Sequence, residues 1–95
     1  MFKRKWAFED PKSVAVMTMD KIMKRESPVL YVTHDEEDGM WQFLDGDDVI
    51  QEEARLISLK QMVDIDPGLI KLANLPFGWV AWRESKDSEW IREQR

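Results

Sequence analysis

The chain contains no cysteine and a single histidine, His34, which excludes disulfides and thiolate metal centres. A zinc site would have to be mostly carboxylate, an atypical donor set. No run approaches the roughly 18–20 apolar residues of a membrane span, so no membrane partner is expected. The opening MFKRKWAFEDPK carries basic residues without an apolar stretch behind them, unlike a secretory signal, and the expected compartment is the cytoplasm. There is no phosphate-cradling glycine loop and no nucleophile beside a base. Catalytic residues are therefore expected to be none, cofactors likewise, and the chain is read as a non-enzyme.

Basic residues are missing from one region. Residues 26–54 hold ten acids and no Lys or Arg, whereas residues 1–25 hold seven Lys/Arg against three acids. The formal charge of −5 is thus a local acidity. Such a patch repels phosphate backbones and draws in a basic partner at a rate that falls with salt. Nucleic acid is accordingly not expected, despite the Lys3-Arg4-Lys5 cluster. The plainer alternative is a solvated, solubilising surface.

What is present fits one small domain: 95 residues, 43% of them apolar, with five tryptophans to fill a single core. Its centre is residues 28–48, PVLYVTHDEEDGMWQFLDGDD, which read as a β-hairpin. Pro28 opens a strand over 29–33, Asp35 to Gly39 turn the chain, and residues 40–44 return; Asp45-Gly46-Asp47-Asp48 then leads it away. Before the hairpin, residues 1–12 read as an N-terminal arm anchored by Trp6 and Phe8, and residues 13–95 as the domain proper. Val14 to Met17 predict a buried strand, and Thr18 is the expected cap of a helix with an apolar stripe of Met19, Ile22 and Met23, ended by Ser27-Pro28.

After the hairpin, residues 54–59 predict a strand, Ser58 and Gln61 a capping box, and Asp66-Pro67 a second helix start with a break at Ile65-Asp66. Phe77 to Arg83 are apolar on both faces, Phe77, Trp79 and Ala81 on one and Val80 and Trp82 on the other, which predicts a central strand. The tail 84–95 is either an edge strand or a frayed end docked through Trp90. The fold class expected is α+β: a small, mostly antiparallel sheet of about five strands with two or three short helices packed on one face.

Two acidic turns are the candidate sites. Asp35, Glu36, Glu37, Asp38, Asp45, Asp47 and Asp48 form a candidate surface for a basic protein partner. His34, Asp35 and Asp38 are the alternative, a metal or small-molecule site, although the loop lacks the D-x-[DN]-x-[DN]-G alternation of a calcium loop. The structural alternative has His34 bonding the turn, with Asp35 and Asp38 holding its backbone N–H groups. Trp41, Trp79 and Trp82 are expected in the core, and Trp6 and Trp90 as the tryptophans that a homo-oligomer would cover.

Taken together, FEDPKSVAVMT, PVLYVTHDEEDGMWQFLDGDD, ARLISLKQMVDIDPGLIKLANLPFGWVAWRES and Trp90 resemble a small bacterial domain family of unassigned biochemistry, found also in some plants and fungi. That family is related to the Imm-thirty-three-like domains, immunity proteins of polymorphic toxin systems. The resemblance runs from Phe8 to Trp90. Its most specific pieces are His34-Asp35 with Asp38-Gly39, the Trp41-Gln42-Phe43 strand, Asp66-Pro67, and Leu75-Pro76 through Gly78-Trp79 to Ala81-Trp82-Arg83-Glu84. It implies an immunity- or inhibitor-like protein that binds another protein, and it supplies no catalytic residues.

Overall fold

The computed structural model describes residues 6–95. The chain runs β1 (Ala15–Met19), α1 (Asp20–Met23), β2 (Tyr31–His34), β3 (Trp41–Leu44), a 3-10 turn (Gln51–Glu53), β4 (Ala54–Ser58), α2 (Leu59–Ile65), a 3-10 helix (Pro67–Leu72), β5 (Trp79–Trp82) and β6 (Ile91–Gln94). The strands make one mixed sheet in the order β4-β1-β3-β2-β5-β6. Among the described residues only the β1–β3 pairing is parallel; the other four are antiparallel. The fold is α+β but dominated by strands, with six of them among the described residues where the sequence predicts about five.

The additional strand is β6. It pairs with β5 along its whole length, yet all four of its residues are exposed. Its ladder is made by backbone groups, and a polar edge strand leaves no apolar alternation to read.

Cross-strand register divides the side chains into two faces, since directly paired residues point the same way. On one face Phe43, Val32 and Ala81 form a row, and Trp41, His34 and Trp79 form the next. Val16 and Ile57 join them from the far side of the sheet. Against this face pack the buried side chains of the helical segments, Ile22, Leu59, Met62, Leu69 and Leu72, in one core cluster. Phe8 is 4% exposed within it and meets the Trp41 ring edge-on at 5.4 Å, so the second half of the predicted arm is anchored to the core. Lys3, Arg4 and Lys5 lie outside the described residues.

Local signals explain most boundaries. Ser58 Oγ accepts from Gln61 N–H while Gln61 Oε1 accepts from Ser58 N–H, the reciprocal bonds of a capping box. Asp66 caps the next segment by accepting from Gly68 N–H, with Pro67 at its first position. That segment is a 3-10 helix. Thr18 departs from its predicted role: it lies within β1, buried, and its hydroxyl donates to Phe43 O at 2.8 Å. The helix after it is a single turn, and Arg25, with φ +61°, ends it ahead of Ser27-Pro28.

Candidate functional site

The β2–β3 hairpin carries one acidic turn at each end. Tyr31 pairs with Leu44 and His34 with Trp41, so Asp35–Asp38 lie at one end and Asp45–Asp48 at the other. Four residues of strand separate them by about 13 Å. The seven predicted partner-binding residues are therefore two groups, not one surface.

At the first end, the aspartates hold the turn. Asp35 Oδ1 accepts from Glu37 N–H at 2.8 Å and from Asp38 N–H at 3.3 Å, and Asp38 Oδ1 accepts from Met40 N–H at 2.8 Å. Gly39 closes the turn at φ +70°, and a Cβ there would meet Phe77 Cε1 at 3.3 Å. Glycine satisfies both constraints. Glu36 and Glu37 are exposed and take part in no ion pair among the described residues. Beside them Phe77 is 62% exposed. An open cleft of about 380 Å³ lies between Glu36, Glu37, Gly78, Trp79 and Arg95.

His34 borders the same cleft but is largely buried. It is 7% exposed, stacks on Trp41 at 3.8 Å and approaches Phe77 at 4.6 Å. Its Nδ1 lies 2.7 Å from Leu75 O, and because a carbonyl only accepts, the proton sits on Nδ1. Nε2 is buried without a hydrogen-bond partner among the described residues. His34, Asp35 and Asp38 are thus each bound into the fold separately. Among the described residues no group of three or more His, Asp or Glu is gathered as a metal would require.

At the other end, Asp45 is a tie between elements. Its Oδ2 lies 2.8 Å from Lys21 Nζ, and its Oδ1 accepts from Asp47 N–H at 3.0 Å. Burial raises the Asp45 carboxyl, but the Lys21 ammonium, the Asp47 N–H and the Ser27 hydroxyl outweigh it and hold the group below its usual 3.8. Asp47 reaches the same ammonium at 3.5 Å with a side chain 78% exposed, and Asp48 is exposed.

Of the five tryptophans, Trp41 and Trp79 lie in or against the core as expected, and Trp82 does not. Trp6 and Trp90 also pack on the core: Trp6 Nε1–H donates to Asp10 O, and the Trp90 ring lies 4.2 Å from the Arg83 guanidinium. Trp82 is on the opposite face of the sheet, away from the core cluster.

That second face went unread in the sequence. One row on it is Leu44, Tyr31, Trp82 and Ile91; the next is Leu56, Met17, Gln42, Thr33, Val80 and Glu93, reaching across all six strands. Leu56 is 66% and Ile91 45% exposed. Among the described residues Val80 is the buried apolar side chain that stays outside the core cluster. A signal was available in Val80 and Trp82, since a 95-residue chain has few elements with which to cover both faces of a wide sheet.

No helix among the described residues is long and apolar enough to cross a membrane. No family model, no curated protein and no solved structure matches the chain.

Proposed function

We propose that the chain is a non-enzymatic, cytoplasmic protein-binding module that captures a basic protein surface with the Asp35–Asp38 end of the β2–β3 hairpin, in the manner of an immunity or inhibitor protein. The observation that carries this reading is the preorganised turn. Asp35 and Asp38 use their carboxylates on the turn's own backbone, which leaves Glu36 and Glu37 exposed beside an exposed Phe77. A rigid loop loses little entropy on binding, a bare aromatic offers apolar contact, and the two glutamates steer a basic partner and set its orientation. The other acidic turn serves the fold first, through Lys21 and Asp45.

The test is a charge reversal, Glu36→Lys with Glu37→Lys. Both side chains are exposed, so the melting temperature should stay within a few degrees. Capture of the protein's partner from lysate should fall steeply and lose its salt dependence. Undiminished capture by the folded double variant would remove the hairpin end from the interface.

A further inference from the structure

We infer that the open face of the sheet holds a second binding site, which takes the arginine side chain of an extended basic segment. The inference shares with the proposed function the premise that the partner is basic, but it concerns different residues on a different surface.

Trp82 and Tyr31 stand directly opposite each other on adjacent antiparallel strands, with Val80 beside them as a buried apolar floor. The cleft they border has a volume of about 460 Å³ and reaches the turn at Asp45 and Asp47 and the side chain of Glu93. Glu93 Oε1 lies 3.4 Å from Trp82 Nε1, so the carboxylate sits at the rim of the indole.

The local charge balance selects a cation. Asp45, Asp47 and Glu93 are three carboxylates, and among the described residues Lys21 is the ammonium that pairs with the first two. Arg83 also borders the cleft, but its fork is committed: Nε donates to Val29 O, one terminal nitrogen to Lys86 O and the other to Asp66. A surplus of negative charge therefore remains next to an indole face. A planar guanidinium matches both features, since it stacks on an aromatic ring and forks onto a carboxylate, which an ammonium cannot do at once. The apolar line from Tyr31 through Trp82 to the exposed Ile91 continues the contact for the neighbouring residues of an extended segment.

The experiment is a titration of the isotopically labelled protein with an acetylated, amidated tetra-arginine peptide at low salt, followed by NMR. The expected result is a saturable shift of the Trp82 indole N–H together with the Tyr31 and Glu93 amides. Glu93→Gln, at an exposed position, should raise the apparent Kd about fivefold while the fold is retained. Trp82→Leu, read on the Tyr31 and Glu93 amides, should do the same, and a tetra-lysine peptide should bind more weakly. Movement at Trp82 that persists in the Glu36→Lys/Glu37→Lys variant would support this site as one that works without the hairpin end. Shifts confined to residues 35–39 would overturn this site and leave the hairpin end standing. Shifts at Trp82 that grow with protein concentration in the absence of peptide would assign the face to a second copy and overturn the inference.

Discussion

Arg83 is the side chain whose loss should cost the domain most outside its apolar core. It is 9% exposed, and its guanidinium joins the strand β5 to three other segments: Val29 O before β2, Lys86 O in the following loop, and Asp66 Oδ2 at the start of the 3-10 helix. Trp90 covers it at 4.2 Å. Hydrogen bonds from a charged donor contribute about 1.5 kcal/mol each at the low end, so the two carbonyls account for about 3 kcal/mol. The Trp90 contact adds about 1 kcal/mol. The Asp66 side chain is 20% exposed, and water can replace part of its partner. With about 1 kcal/mol for that partly water-replaceable ion pair, Arg83→Met should therefore cost about 4–5 kcal/mol, a large share of the roughly 5–15 kcal/mol that holds a small domain folded.

Two companions keep the reasoning testable if that variant unfolds. Asp66→Asn retains the helix cap on Gly68, because Asn caps as well as Asp, and removes only the ion pair; it should cost about 1 kcal/mol. Arg83→Lys keeps the charge, but one ammonium cannot serve three directions, so it should fall between the two. The assay is urea unfolding followed by tryptophan fluorescence, with each kcal/mol worth about 4–8 °C in a parallel melt. A cost below about 1 kcal/mol for Arg83→Met would refute the accounting, as would Asp66→Asn matching Arg83→Met.

Four further outcomes are expected. Asp45 has a lowered carboxyl pKa in the fold, so its contribution is present above the unfolded value of 3.8 and is lost as pH falls through the lower folded value; Asp45→Asn should flatten the fall in urea midpoint below about pH 4, and an unchanged acid limb would contradict the Lys21 tie. Ser58→Ala removes the hydroxyl half of the capping box and should lower stability by about 1 kcal/mol, with chemical-shift changes confined to the first turn of α2. His34→Ala removes the ring stacked on Trp41 and the bond to Leu75 O and should cost about 3 kcal/mol. Melts with chelator and with Mg²⁺, Ca²⁺, Mn²⁺ or Zn²⁺ should coincide, whereas an ion at 100 times its Kd would add about 2.7 kcal/mol. A saturable rise with one ion, lost in His34→Ala, would reinstate the metal reading.

Legibility in the sequence followed the range of the interactions. The capping box at Ser58 and Gln61 and the Asp66-Pro67 start were readable because capping is settled within three or four residues. The hairpin was readable from its turn chemistry, and the roles of Asp35 and Asp38 as turn-holders lay among the alternatives the sequence offered. Thr18 was misread because its partner, Phe43 O, is 25 residues away across a parallel pairing that no local pattern announces. Trp6 and Trp90 sit in polar segments, where the sequence left open whether they anchor to the core or are covered by a second copy; Asp10 and Arg83 supply the polar partners that let both rings pack on the core.

The sequence by itself determined the α+β class, most element positions, the concentration of acid in the middle of the chain and the alternating faces of the β5 strand. Each follows from neighbours in the chain: propensity, capping, turn residues and the two-residue period of a strand. Tertiary structure alone decided the strand order, the sixth strand, the separation of the two acidic turns and the side of the sheet left open. Those depend on which backbone edges pair over long distances and on how much surface the few short helices cover. Trp82 shows the difference. Its position in an apolar strand is written in the sequence, but whether it meets the core or the open face depends on where the helices come to rest.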